Sequence, residues 1–448
     1  MKITIHSSKS VKPAYGSSIA RDAPTTATSN VIPLTVFHEV NHNEYVTGIF
    51  TFNPPAPPMA ALEAGLAKVL AEYRELAGHL VADIGHNGKR AIVLNDNGVR
   101  LMEASADVAL NAIMPLRAGP EALELHPSCE CTEELLLLQV TLFLCASFVM
   151  GCGFHHSIVD GYAISAFLIA LGKAVRGMSF DPVPVHDRES LFKPRDPPLV
   201  EFEHRGVEFM PSMEQKALKN NGVDDDVVVE TVQFSREFIS QLQSRALVGE
   251  RKPYSAVRCV VAHIWRCVTL ARRLDKHEVT RLYLTVNGRG RMINPRVPKG
   301  YTGNVVLWAC PSTTVQELVG MPLCRTVELV AQAVARVDDH YFRSFIDFAS
   351  SGVVEREGLV PRTLLTALVM GADIDVDSEL GIPFYDIDFG SGKPFLLMPT
   401  YSPPVEGAIY LVPAFSGDAG MVAYASLFRH TVDRFMSCCY SLPLKARL

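Results

Sequence analysis

Residues 135–161 read LLLLQVTLFLCASFVMGCGFHHSIVDG, and the interpretation of the whole chain depends on this stretch. Its first twenty positions carry no charge and are long enough to cross a bilayer. However, Gln139 and Thr141 interrupt the first apolar run, and the small residues 145–147 separate it from the second. Apolar runs of this length are typical of strands buried on both faces of a sheet. We therefore predict two buried strands of one sheet and not a membrane helix.

The patterns on the N-terminal side of this stretch, and directly after it, alternate between strands and helices. Apolar residues at helical spacing predict helices over 59–80 and 162–175. The segments 31–52 and 91–103 predict strands, the second as a hairpin around Asn-Asp-Asn-Gly. The first part of the chain therefore combines both kinds of element.

A change of composition marks the boundary between two halves of the chain. Residues 181–226 are rich in proline and end in three aspartates, which is typical of a connection between domains. Beyond it we predict further strands, helices that begin after Ser235 and Ser255, and a last helix over 422–435. We therefore predict a mixed α/β (α+β) fold with an N-terminal domain over 1–180, a crossover loop over 181–226 and a C-terminal domain over 227–448.

The overall composition excludes several classes of protein. The 448 residues carry 42 lysines and arginines against 48 acids, so the formal net charge is 42 − 48 = −6. This charge offers no general attraction to nucleic acid or to anionic membranes. The ten cysteines form no CxxC pair, and the N-terminus has no apolar segment typical of a signal peptide. We therefore expect a cytoplasmic protein with reduced thiols.

The motif His155-His156-Ser157-Ile158-Val159-Asp160-Gly161 is the strongest candidate for chemistry. A histidine at the end of a buried strand, four residues before an aspartate, is suited to act as a general base, because imidazole titrates near neutral pH. The alternative is a pair of histidines that make ordinary hydrogen bonds, because so short a pattern recurs by chance.

A second motif, Asp388-Phe389-Gly390-Ser391-Gly392, lies about 230 residues further along. Two glycines in a short loop allow the backbone to approach a ligand closely, although a simple hairpin turn has the same composition. Neither motif decides the function when it is considered alone.

Together, the two motifs resemble the HxxxD and DFGWG motifs of the plant BAHD acyl-CoA-dependent acyltransferases. Further segments resemble that family: YRELAGHL at 73–80, the helix after Tyr254-Ser255, VNGRGR at 286–291 with Asn287 in place of aspartate, and YTGN at 301–304. The N-terminal segment and residues 371–390 are most similar to the grass agmatine coumaroyltransferase and tryptamine hydroxycinnamoyltransferase group.

The resemblance implies two chloramphenicol-acetyltransferase-like domains with a central solvent channel, and a segment of about 371–400 that completes the sheet of the first domain. It implies transfer of a hydroxycinnamoyl or benzoyl group from a CoA thioester to a small amine. Acyl-CoA is then a co-substrate, with no permanently bound cofactor and no metal. We expect a monomer without nucleic-acid or membrane partners.

The same resemblance implies roles for individual residues. His156 is the expected general base, and Ser391 occupies the usual tryptophan position, where its hydroxyl could donate to the oxyanion. Asp160 is expected to be structural, with Arg289 or Arg291 as its partner. The remaining structural motif positions are Gly161, Asp388, Phe389, Gly390 and Gly392.

Residues for the two substrates are also expected. For CoA, Ser255 begins a helix whose N–H groups favour anions, and the other expected contacts are Lys252, Asn304 and Lys393. For a cationic amine, Asp375 and Asp377 lie in a run of four acids with a period of two, which places them on one strand face, although a solvated strand end or loop has the same composition. The aromatic candidates for the acceptor site are Phe37 and Tyr401, together with Tyr45 and Trp308, and the alternative for each of them is a place in the core.

Three functional hypotheses remain at this point. The first is an N-acyltransferase that acts on tryptamine, agmatine or tyramine, with tryptamine slightly ahead because Ser391 leaves space for an indole. The second is an O-acyltransferase that acts on an alcohol. The third is a metal-dependent hydrolase, although adjacent histidines at a strand end chelate one ion poorly.

Overall fold

A computed structural model of the chain describes residues 1–15, 30–41, 43–82, 90–188, 190–212, 226–247, 253–362, 371–400, 404–414 and 420–442. The chain divides into two compact units. Unit 1 contains Met1–Phe192, Val297–Val305 and Ile382–Ser402, and unit 2 contains Lys193–Arg296, Val306–Gly381 and Pro403–Leu448.

The strands of the described chain are β1 Ile3–Val11, β2 Val31–Pro33, β3 Tyr45–Phe52, β4 His79–Val81, β5 Ala91–Val93, β6 Val99–Ala106, β7 Leu136–Leu142, β8 Phe148–His155, β9 Phe209–Pro211, β10 Val227–Phe234, β11 Val279–Asn287, β12 Val306–Ala309, β13 Ser312–Thr314, β14 Leu359–Pro361, β15 Ile374–Ser378, β16 Leu396–Pro399, β17 Ala408–Pro413 and β18 Met421–Phe428.

The helices are α1 Val36–Glu39, α2 Met59–Glu72, α3 Pro120–Leu123, α4 Gly161–Val175, α5 Arg236–Ala246, α6 Ala256–Arg272, α7 Val315–Gly320, α8 Leu323–Arg336, α9 Asp339–Ser350, α10 Val353–Arg356 and α11 Val432–Cys439. Short 3₁₀ turns occur at Arg74–Ala77, Leu110–Ala112, Gly288–Gly290, Phe384–Asp386 and Arg429–Thr431.

The main sheet of unit 1 has the strand order β1-β6-β7-β8-β3-β16. Its centre is the β7–β8 hairpin, in which Leu136 pairs with Phe154 and Leu142 with Phe148. This hairpin confirms the two buried strands predicted from the sequence. Helices α2 and α4 pack together, and a Cβ on Gly65 would lie 2.8 Å from a methyl carbon of Val175, so the close helix contact requires glycine.

The main sheet of unit 2 has the strand order β10-β18-β17-β15-β11-β12. Strand β15 lies in the middle and is parallel to both β11 and β17. Helices α5 and α6 begin at the predicted caps, because the hydroxyl oxygens of Ser235 and Ser255 accept from the backbone N–H groups three residues ahead. The fully buried Trp265 of α6 donates from Nε1 to Thr280 Oγ1 at 2.9 Å.

Several local predictions are wrong. Residues 91–103 form no hairpin, because β5 pairs with β2 and β4 whereas β6 pairs with β1 and β7. The predicted strand over 31–52 contains α1 between β2 and β3. The predicted last helix over 422–435 begins as strand β18, which pairs with β10 and β17 and is buried on both faces.

The segment that joins unit 1 late in the chain is shorter than expected. Residues 371–381 belong to unit 2, because β15 forms parallel ladders with two strands of that unit. Only Ile382–Ser402 groups with unit 1, where β16 pairs antiparallel with β3. No helix within the described ranges is long and apolar enough to span a bilayer.

Candidate active site

His156 is the first residue after β8 and begins the loop that leads into α4. Its backbone N–H donates to the Glu44 carbonyl at 2.8 Å, and its own carbonyl accepts from Asn304 Nδ2 at 2.7 Å. The His156 backbone is therefore held on two sides, which fixes the position from which the imidazole projects.

Asp160 ends this loop and caps α4. One carboxylate oxygen accepts from the Ala163 N–H at 2.9 Å, and the other accepts from the Val305 N–H at 3.0 Å. An aspartate at the N-cap is favourable because it satisfies an otherwise unpaired helix N–H. These bonds give Asp160 a structural task, while its pairing with Arg289 or Arg291 stays a prediction.

The protonation state of His156 suits a base. Burial lowers the pKa of its imidazole, and the negative charge of Asp160 opposes this shift only in part. Burial, with the positive charge of Arg90, also lowers the pKa of His155 to about 4, and the ring of Tyr45 packs edge-on against His155 at 5.0 Å. A neutral imidazole at pH 7 can accept a proton.

The DFGSG loop is attached to the other end of α4. Asp388 Oδ1 accepts from the N–H groups of Gly390 and Gly392 at 2.7 and 3.0 Å, and Oδ2 pairs with Arg176 at 2.8 Å. A Cβ on Gly172 would lie 2.5 Å from the Asp388 carbonyl oxygen. The aspartate thus closes its own loop and joins it to the helix C-terminus.

The same loop lies at the far end of the unit 1 sheet from His156. The ring of Phe389 packs 5.4 Å from Phe52 and 6.3 Å from Phe148, and these two residues pair at the opposite end of the β3–β8 ladder from His155. His155 lies seven residue steps along the strand from Phe148, a distance of about 20 Å.

This distance corrects the role expected for Ser391. Two residues beyond Phe389 reach at most about 7 Å along the chain, so Ser391 does not approach His156. Its assignment as an oxyanion donor is wrong, and the space argument for tryptamine is lost with it. The sequence pattern did not reveal this, because it contains no information on which end of the sheet each motif occupies.

The residues expected to bind CoA differ in whether their surroundings leave them available for that role. Ser255 caps α6, and Lys393 is largely exposed and lies 3.5 Å from Asp386, so both remain predictions. Asn304 is fully buried, and its amide nitrogen is used by His156, so the CoA role does not fit this structure. Lys252 lies outside the described residues.

Neither of the aromatic residues Phe37 and Tyr401, expected to line the acceptor site, is placed there by the structure. Phe37 is a core residue with no exposed surface, and its ring packs on Phe192 at 4.8 Å, so its assignment to the acceptor is wrong. Tyr401 lies outside the described residues. Arg289 follows β11 in a turn that Asn287 caps, and Arg291 ends the same turn.

Asp375 and Asp377 share one face of β15, as their spacing predicts. In the parallel ladder with β11, Asp375 is level with Tyr283, and Thr285 lies at the next position on the same face and bonds to Asp377. Burial, followed by the charge of Asp377, raises the pKa of Asp375 well above its ordinary value, and burial raises the pKa of Asp377 to about 6.

Tyrosines surround this acid pair, and the sequence analysis missed them. On the other side of β15, Asp377 is level with Tyr410, which lies directly opposite Tyr424 of β18. We call this surface the acid–tyrosine face; it consists of Tyr283, Thr285, Asp375, Asp377, Tyr410 and Tyr424. The patterns YLTV on β11 and IYLV on β17 were the sequence signal for this face. The pairing of both strands with β15 was needed to show that their tyrosines share it.

The acid–tyrosine face already accommodates one guanidinium, which belongs to the protein. The guanidinium of Arg362 lies 3.3 Å from the centre of the Tyr283 ring, and Nη2 donates to Asp373 at 3.2 Å. Stacking on an aromatic ring combined with a carboxylate partner is a favoured environment for this planar cation. Within the described ranges, no group of three or more His, Cys, Asp or Glu side chains could hold a metal ion.

Comparisons with known proteins agree with this architecture. A family model described as the transferase family matches residues 1–442. The chain is 51% identical to agmatine hydroxycinnamoyltransferase 1 of Oryza sativa subsp. japonica, covering 99% of both proteins. It is 51% identical to agmatine coumaroyltransferase-1 of Hordeum vulgare, covering 99% of this chain and 100% of that protein.

More distant similarity is found to tryptamine hydroxycinnamoyltransferase 2 of Oryza sativa subsp. japonica, at 34% identity over 91% of this chain and 93% of that protein. Among solved structures, vinorine synthase has a TM-score of 0.70 at 20% identity and covers 97% of this chain and 96% of its own. The predicted mixed α/β fold with two chloramphenicol-acetyltransferase-like domains is therefore confirmed.

Proposed function

The chain belongs to the transferase family of BAHD acyl-CoA-dependent acyltransferases, and from this premise we propose that it transfers a hydroxycinnamoyl group from CoA to agmatine. The product is a phenolamide, and acyl-CoA is a co-substrate that leaves as free CoA. We place agmatine ahead of tryptamine, which reverses the order expected from the sequence.

The proposed chemistry uses His156 as the general base. The neutral imidazole removes a proton as the amine nitrogen attacks the thioester carbonyl carbon, and a tetrahedral intermediate forms. The C–S bond then breaks, and the imidazolium returns its proton to the departing thiolate. These reaction steps balance in protons and bonds without an acyl-enzyme intermediate, so the reaction requires no nucleophilic serine or cysteine.

The acid–tyrosine face carries the proposal for the acceptor. At neutral pH agmatine retains a guanidinium at the end remote from the reacting amine, and a guanidinium prefers a carboxylate fork with an aromatic surface. Asp375 and Asp377 supply the carboxylates, and the position of Arg362 on Tyr283 supplies a precedent within the same face. Tryptamine carries no second cation, so its apolar indole would offer these buried acids no charge partner in addition to Arg362.

Sequence identity also supports agmatine over tryptamine. The chain is 51% identical to the agmatine enzyme but only 34% identical to the tryptamine enzyme. We propose further that the protein acts as a cytoplasmic monomer on acyl-CoA and amine alone. The mildly acidic net charge of −6 supports the absence of a nucleic-acid partner.

Neutralising the acid pair tests the acceptor. With p-coumaroyl-CoA and release of free thiol as the readout, Asp377→Asn should raise KM for agmatine about 10–100-fold, the effect of losing a hydrogen bond to a charged group. KM for acyl-CoA and for tryptamine should change little. Equal effects on both amines would remove the acids from the acceptor site, and acylation of alcohols alone would favour the O-acyltransferase.

The same acids predict a pH dependence. Because their pKa values are raised, to about 6 for Asp377, KM for agmatine should rise as the pH falls through this value and the carboxylates take up protons. The folded state binds these protons more tightly than the unfolded chain, so the stability that the acid pair contributes is fully present at low pH and is lost as the pH rises through about 6. Asp377→Asn should therefore melt at a higher temperature than the wild type at pH 8, and this difference should shrink toward pH 4.

A further inference from the structure

The segment Thr302–Val305 contacts both ends of the loop that carries His156. Asn304 Nδ2 donates to the His156 carbonyl at 2.7 Å at the start of the loop, and the Val305 N–H donates to Asp160 at 3.0 Å at its end. The position of the His156–Asp160 loop relative to the end of β8 therefore depends on the position of the segment Thr302–Val305.

Glu75 holds that segment from the other side. Thr302 Oγ1 donates to Glu75 Oε2 at 3.2 Å, and Glu75 itself is buried in the turn that follows α2. The Thr302 backbone N–H also donates to the Val185 carbonyl, and Val185 bridges to Tyr301. Thus the two chain segments that carry Val185 and Thr302 meet at one carboxylate.

Two cations keep this carboxylate ionised. Arg188 Nη2 lies 3.1 Å from Glu75 Oε2, and His186 Nδ1 lies 2.9 Å from Oε1. Burial opposes ionisation of Glu75, but these positive charges outweigh burial and lower its pKa to about 2. His186 Nε2 faces the Glu72 carbonyl at 2.8 Å, so both ring nitrogens face acceptors and the imidazolium form satisfies both.

We propose that Asn304, Thr302 and Glu75 are positioning residues for His156, linked in the order Glu75–Thr302–Asn304–His156. This inference rests on the proposed role of His156 as the general base. Their task is to fix the backbone from which the imidazole projects, and a displacement of about 1 Å at a catalytic group costs up to about 100-fold in rate.

The test separates positioning from general stability. Asn304→Ala should lower kcat about 10–100-fold with KM for both substrates within about twofold, because substrate binding is retained while the base is misplaced. The matched control is Gln139→Ala, because Gln139 is equally buried in unit 1 and donates its amide to the Glu124 carbonyl at 2.8 Å. This control should lose comparable stability with kcat within about threefold of wild type.

A second pair of variants changes only the hydroxyl. Thr302→Val keeps the shape of the side chain but removes the donor to Glu75, and should lower kcat about fivefold, as expected for one hydrogen bond. Thr302→Ser keeps the donor and should restore kcat to within about twofold of wild type. If Asn304→Ala does not fold, this pair decides the question.

Two outcomes would overturn the inference. One is a kcat for Asn304→Ala that matches Gln139→Ala, and the other is equal kcat values for Thr302→Val and Thr302→Ser. His156→Ala is measured in parallel. If that variant is active, the proposed role of His156 fails; if it is inactive while the positioning variants behave as controls, only the present inference fails.

Discussion

The two motifs of unit 1 lie at opposite ends of the same hairpin and of the same helix, and they differ in what they hold. At one end, the HHSIVDG loop is held from outside, by Glu44, Asn304 and Val305. At the other end, Asp388 closes its own loop and bonds to Arg176 at the end of α4. The first arrangement positions a titratable side chain, whereas the second fastens a returning segment to a helix.

Two motifs of one family therefore need not share one site. A distance of about 20 Å along β8 separates them. Substitutions at the His156 end should therefore change turnover, whereas loss of Asp388 at the DFGSG end should change stability alone.

The largest effect is expected at His156. Its replacement by alanine should lower kcat about 10²–10⁴-fold, the usual contribution of a positioned general base, with little change in melting temperature. His155→Ala is the matched control at the adjacent last residue of β8 and should cost much less, because that ring packs on Tyr45. Near-full activity of His156→Ala would contradict the proposed mechanism.

Asp160 should affect both stability and turnover. In Asp160→Asn one oxygen still accepts an N–H, but the new amide group faces the other donor, so the free energy of unfolding should fall by about 1–3 kcal/mol. Urea denaturation measures this loss. Asp338→Asn is the control, because Asp338 only caps α9 and asparagine caps equally well. A stable but inactive Asp160→Asn enzyme would indicate a direct catalytic role.

At the opposite end, Asp388→Ala should lower stability while turnover is retained. Loss of its two backbone N–H partners and the Arg176 pair should cost about 1–3 kcal/mol of unfolding free energy, with kcat of the folded enzyme within about threefold. Asp386→Ala, in the preceding turn, should cost only about 0–1 kcal/mol, because its pair with Lys393 is exposed. A large fall in kcat for Asp388→Ala would remove the contrast between the two ends.

The smallest effect is expected at Ser391. No described residue forms a hydrogen bond with its buried Oγ, so Ser391→Ala should change stability by at most about 0.5 kcal/mol. Because this side chain is far from His156, kcat should stay within about twofold. A tenfold loss of kcat, measured by thiol release, would restore Ser391 to the oxyanion site.

Several features followed from the sequence because they depend on near neighbours. The continuous apolar runs at 136–142 and 148–155 identified the central hairpin, and the hydroxyl caps at Ser235 and Ser255 identified two helix starts. The spacing of Asp375 and Asp377 identified their common strand face. The motifs HHSIVDG and DFGSG, together with the segments at 73–80, 286–291 and 301–304, indicated the family.

Which of these features lie together depends on long-range contacts that no local pattern contains. Strand pairing placed Phe389 beside Phe148 and so removed Ser391 from His156, and it brought Tyr283 and Tyr410 to the two sides of the acid pair. It also placed β18 between β10 and β17, although its sequence predicted a helix. The physical reason is that sheet register and loop contacts join residues tens to hundreds of positions apart, and their energies depend on the packing of the whole sheet rather than on any local pattern.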